Sequence, residues 1–174
     1  MIIAQDSEVI LREFEETDIP KIVLYANNKK VSNNLRDAFP NPYTLDDAKR
    51  FFDMISKQNP KTFFAIEYKG NYAGNIGLSV ESDVYKKRAE IGYFIGEPLW
   101  NRGIATKAIT MMTAFGFATL DIVRIHTGVF GYNIASQKVL EKCGFEKEAV
   151  FKKAIYKNGA LCNEIRYAII KDEI

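Results

Sequence analysis

The chain has 174 residues, 47% of them apolar and 26% charged, which is the length and composition of one soluble globular domain with a full core. Lys plus Arg number 24 against 22 for Asp plus Glu, and a net charge of +2 gives no electrostatic case for a nucleic-acid or anionic-membrane partner. The longest apolar-leaning stretch, Ala108 to Leu120, contains three threonines and falls well short of the roughly 20 residues a bilayer span needs.

In chain order, Val9 to Phe14 reads as a first strand, followed by Thr17 as the cap of a short helix that tolerates Pro20 in its first turn and runs to about Asn27. Asn33 to Tyr43, with Phe39, Pro40, Pro42 and Tyr43, suits neither a regular helix nor a central strand and is expected to be an aromatic loop. Thr44 with Asp47 forms a capping-box pattern, and Ala48, Phe51, Phe52 and Ile55 recur at helical spacing up to the break at Pro60. Thr62 to Tyr68 and Tyr72 to Val80 make an antiparallel hairpin through Lys69, Gly70 and Asn71. Arg88 to Ile95 is a third β run and Gly103 to Leu120 a long helix. Arg124 to Phe130 is a strand whose crossover predicts parallel pairing with its predecessor. Asn133 caps a helix that runs through Cys143 and closes at Gly144, and Phe145 to Ile155 and Leu161 to Ile170 flank a turn at Asn158 and Gly159. The expected architecture is a single α/β domain over residues 1–174, a mixed, mostly antiparallel twisted sheet flanked by helices.

Asp6 and Glu8 stand where a secretory leader would carry a basic start and an apolar run, so the expected compartment is the cytoplasm. Cys143 and Cys162 fit there as free thiols, and with His126 the single histidine no metal site is expected. His126 reads as a packed strand residue.

Two segments carry chemistry. In Gly96-Glu97-Pro98-Leu99-Trp100-Asn101-Arg102-Gly103-Ile104-Ala105-Thr106 a strand ends, the chain turns and a small-residue helix starts; unpaired amides and the dipole at such a start suit an anion, and Gly103 lets it approach. The glycine spacings of the P-loop and of the dinucleotide fingerprint are both absent, which disfavours nucleoside triphosphates and NAD. A plain tight turn at Gly103 is the alternative. In the second segment Asn133 and Ser136 occupy the first turn of a helix after a strand, where they either cap it or meet a ligand.

Together, the Ala89-Glu90-Ile91-Gly92-Tyr93 strand, the Trp100 to Thr106 loop and the Asn133-x-x-Ser136 helix ending in Leu140-Glu141-Lys142-Cys143-Gly144-Phe145 resemble the GNAT acetyltransferases. Within them the likeness is to the branch of the ribosomal-protein N-terminal acetyltransferases, and it covers nearly the whole chain. The resemblance implies an acetyl-CoA-dependent N-acetyltransferase, a monomer or homodimer, acting on a protein N-terminal α-amine or a small-molecule amine. It implies that the amides of Arg102, Gly103, Ile104, Ala105 and Thr106 hold the coenzyme A pyrophosphate. The backbone of Phe94 and Ile95 would pair with the pantetheine arm, and Asn133 would bond it from the other side.

Acetyl transfer to an amine needs a neutral nucleophile and a donor to the leaving sulfur. An α-amine with pKa near ~8 costs about 1 kcal/mol to deprotonate at pH 7, and a lysine near ~10.4 nearly ~5, so a weak base suits the α-amine. Glu90, on the same strand face as Gly92 and Phe94, is the candidate base, with a structural ion-paired carboxylate as the alternative. The tyrosine that many GNAT enzymes use as general acid is matched here by Leu140, so Ser136 is the expected donor to sulfur and a cofactor contact. A glutamate that the serine-specific ribosomal-protein enzyme carries nineteen residues after its motif serine is matched by Ile155, which departs from that enzyme's acceptor pattern. These departures leave open a catalytically weak acyl-CoA-binding regulatory domain. Tyr132 could supply a phenol but reads as a turn aromatic. Lys29, Lys30, Lys86, Lys87 and Arg88 read as solvated faces from which no partner for the adenosine 3′-phosphate can be chosen.

Overall fold

The computed structural model describes residues 1–171. Eight strands form one sheet: β1 (Ile2–Gln5), β2 (Val9–Arg12), β3 (Phe63–Tyr68), β4 (Asn71–Val80), β5 (Arg88–Ile95), β6 (Arg124–Phe130), β7 (Glu146–Lys157) and β8 (Ala160–Ile170). Their order is β1-β2-β3-β4-β5-β6-β8-β7. Every neighbouring pair is antiparallel except β5 and β6, whose parallel pairing follows from the crossover helix between them. The helices are α1 (Ile19–Ala26), α2 (Lys29–Ser32), α3 (Leu45–Ser56), α4 (Ile104–Thr119) and α5 (Ile134–Lys142). The domain is mixed α/β and mostly antiparallel, as the periodicity predicts. Among the described residues, no helix is long and apolar enough to cross a membrane.

The middle of the sheet is covered on both faces, while β7 at its edge is largely exposed. On one, Leu11, Phe64, Ile66, Ile76, Leu78, Ile91 and Ile125 pack against Ile104, Ala108, Ile109 and Met112 of α4. There Gly116 lets helix and sheet close up, since a Cβ on it would lie 2.6 Å from Leu78 Cδ1. On the other, Ile22, Ala26, Val31, Tyr43 and Ala48 cover Ala65, Tyr72 and Phe94.

Two short elements lie beyond the expected set, β1 and α2. The start of the first helix is also different: Thr17 sits inside a 3-10 turn, Glu16–Asp18, and the capping carboxylate is Asp18, which accepts the Glu15 amide at 2.9 Å. Asp18 is 4% exposed because Arg12 holds it through two 2.8 Å hydrogen bonds while reaching Glu67 at 2.7 Å. That trio pins α1 to β2 and β3, and Asp18 is the leading reason the guanidinium holds its proton even more tightly than usual. The capping box at Thr44 and Asp47 forms as expected, and Gly144 closes α5 at φ +84°.

Candidate active site

β5 and β6 pair only over Arg88–Glu90 and Arg124–His126, then diverge, although β5 continues to Ile95 and β6 to Phe130. The result is a gap in the middle of the sheet. Gly96 N donates to Ala73 O and Glu81 N to Arg88 O, so even-numbered residues of β5 turn their main-chain groups toward β4; Lys87 O accepts from Val123 N on the other side. Phe94 therefore faces β4 opposite Asn75, and the main-chain groups presented to the gap are those of Tyr93 and Ile95. Of the expected pair Phe94 and Ile95, only Ile95 lines the gap, and its carbonyl already accepts the Trp100 indole N–H at 2.8 Å. That bond fixes the loop that follows.

The loop turns through Asn101 at φ +61° and Gly103 at φ +74°, a left-handed conformation that glycine takes freely and asparagine tolerates. A Cβ on Gly103 would meet nothing within 4 Å, so the space above it is open. The amides of Arg102, Gly103, Ile104, Ala105 and Thr106 have no acceptor among the described residues; the ladder of α4 begins with Lys107 N donating to Gly103 O. Five orphan donors at the positive end of a sixteen-residue helix make an anion cradle.

Across the gap, Asn133 caps α5 by accepting the Ser136 amide at 3.2 Å, which leaves its side-chain NH2 without a partner among the described residues. Ser136 Oγ lies 2.7 Å from the Tyr93 hydroxyl. No local signal in the sequence gives the Ser136 hydroxyl this partner, because the phenol stands 43 positions away on β5. Burial pushes the Tyr93 phenol up to about 12, against a smaller opposing effect of the Ser136 bond. Leu140 is fully buried in the core and offers no polar group.

On the opposite face of β5, alternation places Glu90 and Gly92 beside Phe94. A Cβ on Gly92 would also meet nothing within 4 Å, so the surface next to Glu90 is open. Glu90 is ion-paired with Arg36 of the aromatic loop. That loop is tied over the gap at further points: Tyr132 donates to Asn33 O, Asn158 to the Asn33 side chain at 3.0 Å, and Lys157 to Asp37 at 2.6 Å. Phe39 stacks on Tyr43 at 4.9 Å and meets Phe94 edge-on at 5.6 Å. Tyr132 is thus a tether for the loop, 49% exposed.

Beyond Glu90 a charged network continues along this face. Glu81 accepts two 2.9 Å bonds from Arg88 and lies 2.6 Å from His126 Nε2, while His126 Nδ1 is 3.0 Å from Arg166, itself paired with Glu164. A guanidinium can only donate, so Nδ1 is the acceptor and Nε2–H points at Glu81. His126, 5% exposed, is held as a structural residue. Gly128 makes room for this network, since a Cβ there would lie 1.9 Å from Glu164 Oε1. Of the basic residues read as solvated faces, Lys30 pairs with Glu97, Lys87 with Asp121 and Arg88 with Glu81.

Such a site takes a ligand with an anionic end at α4, an extended arm between the strands, and a second reactant entering under the aromatic loop. A sequence profile of the acetyltransferase (GNAT) domain matches residues 8–146. The uncharacterized N-acetyltransferase YoaA of Bacillus subtilis is 29% identical, with 97% of each chain covered. The microcin C7 self-immunity acetyltransferase MccE, solved with acetyl-CoA and AMP, is 27% identical at a TM-score of 0.77, covering 95% of this chain and 93% of that one. RimL, the ribosomal L7/L12 α-N-protein acetyltransferase solved with coenzyme A, has the same fold at a TM-score of 0.85 with 22% identity, covering 99% of each. By that profile match, which spans most of its length, this chain belongs to the GNAT acetyltransferase family, as an N-acetyltransferase.

Proposed function

We propose that the protein transfers an acetyl group from acetyl-CoA to a primary amine bearing a single positive charge, a protein N-terminal α-amine or a small monoamine. The observation that carries this reading is the gap between β5 and β6 ending at five orphan amides, because it offers donors to a pyrophosphate and a free strand edge to an amide-bearing arm. Acetyl-CoA supplies the acyl group as a thioester. The amides of Arg102 to Thr106 would hold its pyrophosphate, the Ile95 N–H and the Asn133 side-chain NH2 its arm, and Ser136 would donate toward the sulfur. Glu90 would receive the proton of the incoming ammonium, beside the open surface at Gly92.

Charge pairing supports the monocation. On this side of the sheet Glu81, Glu90, Glu148, Glu164 and Asp37 are each held by a protein cation: Arg88, Arg36, Arg124, Arg166 and Lys157. Arg36 is 70% exposed, so its guanidinium can turn into solvent and yield Glu90 to one ammonium. A polyamine would need several such exchanges. Steady-state acetyl transfer to N-terminal peptides, monoamines and spermidine tests this, with spermidine expected to be the poorer acceptor. A preference for spermidine would sink the monocation assignment, and binding of acetyl-CoA without turnover of any amine would turn the reading to an acyl-CoA-binding regulatory domain.

A further inference from the structure

The Tyr93–Ser136 pair is a contact between the two sides of the gap. Tyr93 belongs to the stretch of β5 that has lost its pairing with β6, and Ser136 to the helix that follows β6, so their 2.7 Å bond crosses the site at the level where the strands diverge. We propose that Tyr93 is a positioning residue for acetyl transfer, holding the Ser136 hydroxyl so that its hydrogen points into the gap toward the sulfur of the acyl donor. This rests on the acetyltransferase reading above and adds a residue to it.

Two hydroxyls joined by one short bond share a single hydrogen, and the direction of that bond decides where the second hydrogen goes. A phenol is the more acidic hydroxyl and the better donor, so Tyr93 donates and Ser136 Oγ accepts. Burial reinforces the choice, since a phenol pushed up to about 12 keeps its proton between pH 6 and 9. The remaining Ser136 hydrogen has no acceptor among the described residues: the neighbouring Asn133 oxygen takes the Ser136 amide, and Tyr132 O already accepts from Ile134 N. A ligand sulfur in the gap is the acceptor it lacks. Without the phenol the serine hydroxyl would rotate among its staggered positions, and its hydrogen bond would no longer be prepaid in orientation.

The Tyr93 hydroxyl makes no other hydrogen bond among the described residues, so Tyr93→Phe removes only the phenol oxygen and keeps the ring that packs against the α4 side of the core. The test compares the wild type, Tyr93→Phe, Ser136→Ala and the double variant in acetyl transfer to the best amine of the panel, with the melting temperature of each. The expected result is a kcat roughly tenfold lower for Tyr93→Phe, the size of one lost neutral hydrogen bond, with KM for acetyl-CoA within about twofold of wild type. The deficit should be the same from pH 6 to 9, since the phenol does not titrate there. Because Tyr93 acts through Ser136, the double variant should be no slower than Ser136→Ala alone. An unchanged kcat in Tyr93→Phe, or losses that multiply in the double variant, overturns the proposal while leaving the acetyltransferase reading intact. A lowered melting temperature with kcat preserved assigns the phenol a purely structural role and overturns it as well. Absence of transfer by the wild type to every amine overturns both.

Discussion

Gly103 offers a test of the cradle in which strain and ligand contact can be separated. At φ +74° an alanine pays the left-handed penalty of about 1–2 kcal/mol, and because its Cβ would meet no protein atom within 4 Å there is no clash to add. For a domain of this size that should lower the melting temperature by roughly 2–8 °C. Gly70, in the β3–β4 turn, is at φ +77° with equally open space, so Gly70→Ala should cost the same. The two variants part only when ligand is added. A methyl above Gly103 would hold a pyrophosphate away from the orphan amides, and one charge-assisted hydrogen bond lost is about 1.5–3 kcal/mol. Calorimetric titration should then show a coenzyme A Kd roughly 10- to 150-fold weaker for Gly103→Ala, with Gly70→Ala within about twofold of wild type. Equal affinities for the two variants would refute the placement of the anion at this loop, whatever their melting temperatures.

Two further outcomes are open to measurement. Glu90→Gln should transfer acetyl most slowly relative to wild type near pH 6, where the amine is most protonated, and recover toward pH 9; a deficit independent of pH in a rate profile would make Glu90 a structural partner of Arg36. Asp6 is held down to about 2, first by the Glu8 amide and then by Lys107, so its share of stability is present above its unfolded value of about 4 and lost as pH falls toward 2. In acid denaturation followed by circular dichroism, Asp6→Asn should flatten that loss; an unaltered acid profile would remove Asp6 from the account.

What the sequence shows and hides follows from how far apart the interacting groups lie. Strands β3 to β6 and β8 and helices α3 to α5 are legible because each has an apolar period and a nearby stop, such as Gly144 after α5 or the Asn158-Gly159 turn. β1 is four residues long with half-exposed Ile2 at its start, and α2 is a single turn, so neither has a period to read. Thr17 looks like a cap by residue type, but Asp18 is buried under Arg12, a contact set by tertiary packing. In the site, the cradle and the Asn133 cap are local and were readable. The direction of each β5 carbonyl depends on the register with β4, which one strand cannot supply, so nothing local tests the pair that the resemblance implies, Phe94 and Ile95, against the pair that faces the gap, Tyr93 and Ile95. Arg36 on Glu90 and Tyr93 on Ser136, 54 and 43 residues apart, leave no local signal.

The short parallel seam between β5 and β6 has a mechanical consequence. What is drawn as one eight-stranded sheet is two plates, of five strands and three, riveted along three residue pairs. Beyond that seam and the adjacent main-chain bond from Val123 N to Lys87 O, side chains link the plates: the Tyr93–Ser136 bond on one face, and the His126–Glu81 contact and the loop ties at Glu90, Tyr132 and Lys157 on the other. A wedge-shaped opening braced at its rims concentrates stress at its apex, where Glu90 lies opposite His126. Stiffness across the middle of this molecule is therefore a property the backbone alone does not supply, and an extended ligand lying in the wedge would complete the lamina from within.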